Sequence, residues 1–115
     1  MVAMSLSACQ AVELRPGQVD ESAVARGRET AERLGCGACH VLPGVAWPQG
    51  RTGSDLHGFA DRAMIAGRVP NRPEYLTRFV RDAPALAPGI AMPAISMTDA
   101  DAQALAAWLQ SLHAP

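Results

Sequence analysis

Apolar residues recur at helical spacing in several stretches of this chain and nowhere settle into the alternation of a strand. Near the C-terminus Leu105, Trp108, Leu109 and Leu112 fall at i, i+3, i+4 and i+7, the stripe of an amphipathic helix. Thr98 and Asp101 stand ahead of it with the spacing of a capping box. Upstream, Pro73 suits a first helical position, and Leu76, Phe79 and Val80 share one face of the helix that follows to Arg81. Another helix runs from a cap at Asp20 or Ser22 to about Leu34, where Gly35 ends it. A fourth, shorter one is expected over Asp61–Ala66, closed by Gly67, with Ile65 as its core contact.

What separates these stretches is equally informative. Val41–Gly53 carries Pro43-Gly44, Pro48 and Gly50-Arg51-Thr52-Gly53, and no helix survives that punctuation. Ala83–Ser96, with Pro84, Pro88-Gly89 and Met92-Pro93, is predicted to be irregular throughout. It is nevertheless apolar and uncharged, which predicts that it lies against something apolar. The reading is therefore an all-α domain of about four helices with long loops. Gly27 sits inside the first helix, where glycine costs about 1 kcal/mol relative to alanine. Close approach of another backbone or a ring would account for it.

Length changes this picture little: 115 residues make one small domain, assigned to residues 20–115. Charge adds more. All ten basic residues are arginines, the formal net charge is -1, and nucleic-acid binding is not implied. Every arginine lies between Arg15 and Arg81, whereas only Asp99 and Asp101 carry charge after Asp82. The last third should thus present a nearly uncharged surface.

The chemistry is concentrated in Cys36-Gly37-Ala38-Cys39-His40. C-x-x-C-H is the attachment signature of a c-type haem: two thiols add to the porphyrin vinyl groups, and the next imidazole becomes an axial iron ligand. A redox dithiol would call for a βαβ context, and zinc would call for a second Cys pair or an H-x-x-x-H. The sequence has neither. One covalently attached haem c would also supply apolar core that so short a chain does not encode.

Residues 1–19 read as a signal remnant and a linker. Leu6-Ser7-Ala8-Cys9 resembles a lipobox, in which Cys9 would become a lipid anchor, yet only eight residues precede it and none is basic. A lipidated protein with part of its leader missing and a soluble exported protein both fit. Thioether attachment of haem takes place outside the bacterial cytoplasm, so a periplasmic location follows from either, with an inner-membrane tether in the first.

Taken together, the first helix, the C-x-x-C-H pentad, the loop and Met92-Pro93 resemble a class I cytochrome c over roughly Ala25–Leu112. Gly53-Ser54-Asp55-Leu56, Ile65-Ala66-Gly67-Arg68-Val69-Pro70-Asn71-Arg72-Pro73-Glu74 and Pro88-Gly89-Ile90-Ala91-Met92-Pro93 are similar to the cytochrome c domain fused to subunit II of some bacterial haem-copper oxidases. The resemblance implies a cytochrome c fold wrapped around the haem, His40 as proximal ligand and Met92 as distal ligand. A thioether is a soft ligand that raises the potential toward that of an electron carrier, which agrees with Met92. Met97 and Met64 are its rivals, and His57 and His113 are expected to be ordinary surface histidines.

The family also places Gly27 against Trp108 where the first and last helices cross, and often an aromatic residue where this chain has Ala31. Its usual Gly-Pro-x-Leu, whose proline carbonyl accepts the second N–H of the proximal histidine, here has Ser54 in place of proline. A serine carbonyl can still accept, with a less rigid loop. Trp47, Arg51 and Tyr75 are candidate partners of the haem propionates.

The expected function is a one-electron carrier, not an enzyme, in a respiratory or dehydrogenase chain. Its partners would be redox proteins such as a terminal oxidase or a periplasmic dehydrogenase, met by a monomer through the uncharged rim Pro88–Ser96. A haem-based ligand binder without Met92 on the iron, and a module docked permanently on one complex, are the other readings.

Overall fold

The computed structural model describes residues 20–115, so Cys9 and the predicted leader and linker lie outside the described residues. Helix α1 spans Glu21–Arg33. The Asp20 carboxylate caps it by accepting the backbone N–H groups of Ser22 and Ala23, and the Ser22 hydroxyl, together with these bonds, holds its pKa below the ordinary value. Helix α2 spans Pro73–Arg81 with proline in its first turn, and buries Leu76, Phe79 and Val80 as their spacing predicts.

Helix α4, Asp99–Leu109, opens on the expected box. The Thr98 hydroxyl accepts the Asp101 N–H, and the Asp101 carboxylate accepts the Thr98 N–H. That backbone bond, with the Thr98 hydroxyl and Arg33 behind it, holds the Asp101 carboxyl below its usual range. Leu105, Trp108 and Leu109 are buried; Leu112 lies past the helix end and is half-buried.

Helices α1 and α4 cross at Gly27. A β-carbon on Gly27 would lie 2.5 Å from Trp108 Cβ and would also collide with the Ala104 carbonyl, so only glycine admits this approach. Ala31 is fully buried in the same seam. Its small side chain leaves room for the indole of Trp108, which is itself buried.

Two expectations fail. The helix predicted over Asp61–Ala66 is instead a single 3-10 turn, Phe59–Asp61, followed by a two-stranded antiparallel ribbon of β1, Met64–Ile65, and β2, Val69–Pro70. Ala66 and Gly67 both have positive φ, 51° and 65°, which turns the chain back at once. The Arg68 N–H closes this turn on the Ile65 carbonyl. Ile65 is buried as expected, but from a strand. The second failure is α3, Ala83–Leu86, inside the segment read as wholly irregular. The Asp82 carboxylate caps it on the Ala85 N–H, and Pro84 sits in the first turn, where no N–H is needed.

The core joins Leu42, Val45, Leu56 and Phe59 of the first loop region to Ile65, α2 and α4. The final residues are strapped to the same body. Ala60 donates its N–H to the Leu112 carbonyl, and the Asp61 carboxylate accepts the Ala114 N–H while facing His113 Nδ1 at 2.7 Å. Asp99 and Asp101 do not stand alone: they pair with Arg81 and Arg33. The acids of the last third are thereby met by arginines from the first two.

Candidate haem site

The C-x-x-C-H pentad follows directly from the end of α1. Gly35, with φ of 75°, breaks the helix, and Cys36–Ala38 form a 3-10 turn that delivers both cysteines and His40 within one reversal of the chain. The Cys36 carbonyl accepts the N–H groups of Cys39 and His40, so the three side chains are placed by backbone. Both cysteines are free thiols, Cys39 exposed and Cys36 mostly covered. Burial pushes the Cys36 thiol up.

The loop then returns along the pentad. Gly50 donates to the Gly37 carbonyl at 2.8 Å, Gly53 to Cys39 at 2.7 Å and Leu56 to Val41 at 3.0 Å. Each return point is a close approach. A β-carbon on Gly50 would lie 2.6 Å from the Cys39 nitrogen, and one on Gly53 would lie 2.7 Å from His40 Nδ1. Gly53 has no positive φ, so its requirement is space for the imidazole alone. The sequence reads Gly50 and Gly53 as loop punctuation; their contacts were not legible there.

His40 Nδ1 lies 2.6 Å from the Ser54 carbonyl oxygen. A carbonyl only accepts, so Nδ1 carries the proton and Nε2 carries the lone pair. That tautomer is the one an axial ligand needs, and among the described residues nothing else bonds Nε2. Ser54 therefore keeps the accepting function through its backbone.

The remaining predicted residues fall in three groups. Met92 and Met97 are half-buried against the core, as are Ile90 and Leu86 from the same stretch, while Met64 is exposed. Tyr75, on α2, packs against the core from outside. Arg51 is exposed, and so is Trp47, at 82 %. His57 and His113 face Asp55 and Asp61 on the surface, as expected of ordinary histidines.

These observations fit a haem. The donor set holds one imidazole anchored through Nδ1, with Nε2 unbonded, and two free thiols at the attachment spacing. Half-buried Cys36, Val69, Tyr75, Leu86, Ile90 and Met92 leave apolar surface on the core incompletely covered. Among the described residues no three His, Cys, Asp or Glu side chains are grouped to hold a metal ion. The open clefts beside α4, one lined by Thr77, Arg81 and Gln103 and the other by Val24, Arg28 and Trp108, contain none of the pentad.

Residues to which the sequence assigns no role complete the site. Arg62 reaches Ser54 and Asp55, and Asn71 donates to the carbonyls of Phe59 and Arg62 at 3.1 and 3.0 Å. Gln110 in turn donates to Asn71 at 2.8 Å.

The sequence matches the family described as cytochrome c oxidase, cbb3-type, subunit III over residues 22–109. It is also 34 % identical over 93 residues to cytochrome c oxidase subunit 2 of Alkalihalophilus pseudofirmus. That similarity covers 80 % of this chain and 26 % of the relative, so the chain spans about a quarter of the length of the protein it matches.

Proposed function

This chain belongs to the class I c-type cytochrome domains, and on that premise we propose that it is a single-haem electron carrier with His40 and Met92 as axial ligands. Family membership gives haem c and haem-based electron transfer. The number of haems, their covalent linkage, the ligand pair, the location and the partners are our reading.

When bound, haem supplies a one-electron iron couple. Cys36 and Cys39 would hold it through thioethers, and His40 would bind iron through Nε2 while Ser54 keeps the Nδ1 proton in place. Met92 would supply the sixth ligand from the Pro88–Ser96 stretch, ahead of Met97. Trp47, Arg51 and Tyr75 would approach the propionates. With His40 and Met92 both holding the iron, a small molecule would have to displace Met92 to reach it, and the domain would carry electrons rather than catalyse substrate chemistry. The single observation that carries this reading is the 2.6 Å approach of His40 Nδ1 to the Ser54 carbonyl, which leaves Nε2 for the iron.

Its partners would be redox proteins such as a terminal oxidase or a periplasmic dehydrogenase, met transiently by a monomer in the bacterial periplasm. The rim suits this: Pro88, Gly89, Ala91, Pro93, Ala94 and Ser96 are exposed and none is charged. A small docking face permits fast release. Among the described residues no helix is long and apolar enough to cross a membrane; a tether would rest on lipidated Cys9.

Intact mass spectrometry of the chain made with a haem-attachment system tests the linkage. The expected result is the mass of one haem retained after acid denaturation and lost when Cys36 and Cys39 are both replaced by alanine. A chain that releases its haem on denaturation would overturn it.

A further inference from the structure

The hydrogen bond that orients His40 ends on an exposed loop, and something must hold that loop still. Gly53 and Leu56 are tied back by their own N–H groups, to Cys39 of the pentad and to Val41 just after it. Between them, Ser54 and Asp55 have no backbone bond of this kind. Side chains hold them instead: Arg62 donates to the Ser54 hydroxyl at 3.3 Å and to the Asp55 carbonyl, and the Asp55 carboxylate accepts the His57 N–H at 2.9 Å.

Arg62 is itself held from every side. Its guanidinium lies 5.3 Å from the centre of the buried Phe59 ring, a cation–π arrangement. Its N–H donates to the Phe59 carbonyl at 3.1 Å, and its carbonyl accepts from the Asn71 amide. Asn71 is braced by Gln110 just past the end of α4. The guanidinium takes the acceptors on either side of the Ser54 carbonyl and leaves that oxygen to the imidazole.

We infer that Arg62 is a positioning residue for the axial histidine: it clamps the Ser54–Asp55 segment so that the Ser54 carbonyl fixes the tautomer and plane of the His40 ring. The inference rests on His40 as an iron ligand. Reduction potential alone would not isolate the clamp. Losing the cation disfavours reduced iron, whereas loosening the His40 bond makes the ligand less electron-donating and works the other way.

The deciding readout is solvent exchange of the His40 Nδ1–H in the reduced haem-loaded protein, followed by NMR. A charge-assisted hydrogen bond is strong enough that its loss should speed this exchange about tenfold or more in Arg62→Met, which keeps the stem on Phe59. Ser54→Ala, which retains the bond to the Asp55 carbonyl, should stay within about threefold of wild type. Arg62→Lys, with a single ammonium for two acceptors, should fall between.

Exchange in Arg62→Met within about twofold of wild type would overturn the clamp, as would an equal acceleration at the Leu105 amide of α4, which reports general loosening. Should Arg62→Met fail to fold, Arg62→Lys decides by the same two criteria. A wild-type spectrum lacking haem-shifted His40 ring protons would overturn the ligand assignment itself and the clamp with it; an unchanged variant in a protein that has them overturns the clamp alone.

Discussion

The two segments assigned to the haem are both irregular, yet they are built in opposite ways. The proximal segment, from Cys36 to Leu56, is laced by backbone bonds that return Gly50 and Gly53 to the pentad and Leu56 to Val41, and within it the Ser54 carbonyl accepts from His40. The distal segment around Met92 has two such bonds, Ile90 to Ala87 and Ile95 to Arg81, with Met92 between them. Apolar packing of Ile90, Met92 and Met97 carries the rest. On the proposed assignment, His40 would be set by the protein before it meets iron, whereas Met92 would be delivered to the neighbourhood and completed by coordination. For a carrier this division is useful, since a rigid imidazole keeps reorganisation small while a soft thioether tunes the potential.

The largest effect should come from breaking the rigid side. Gly53→Ala puts a methyl group 2.7 Å from His40 Nδ1, and the loop and ring must part. Overpacking of this kind costs about 2–3 kcal/mol, and here it should also disturb the axial ligand. Denaturant unfolding should show that loss, and the absorption spectrum of the variant should show a weakened His-ligated signature. A variant with wild-type stability and spectrum would mean that the proximal side is no more rigid than the distal.

A smaller effect sharpens the same contrast without mutation. In the haem-loaded protein the amides of Gly50, Gly53 and Leu56 should exchange at least about tenfold more slowly than those of Ala91, Met92 and Ser96, which have no backbone acceptor, with Ile95 protected as an internal control. Amide exchange by NMR measures this directly. Equal protection across both segments would remove the distinction.

Sequence made some of this legible and hid the rest for physical reasons. Helix α4 was readable because everything that defines it is local: the Thr98–Asp101 box and the Leu105, Trp108, Leu109 stripe lie within one short stretch. Gly27 announced a crossing, because glycine inside a helix needs a reason, and Trp108 supplies it. The ribbon escaped because strands of two residues are too short for alternation and because Ala66 adopts a left-handed conformation its side chain does not favour. Helix α3 escaped because Asp82 and Pro84 form a first turn in a stretch whose prolines otherwise read as breakers.

At the site, the pentad was legible from covalent chemistry alone. The Ser54 carbonyl was legible only through the resemblance, since every residue has a carbonyl. Arg62 was hidden because its partners lie eight and seven positions upstream across a turn, a separation without periodic signature.

The central claim is that His40 and Met92 close the haem from its two sides, and the weak far-red absorption band of thioether-to-ferric-iron coordination tests it most directly. The account predicts the band in the oxidised protein, its loss with a lower potential in Met92→Ala, and an unchanged band and potential in Met97→Ala. A band that survives in Met92→Ala and disappears in Met97→Ala would contradict it.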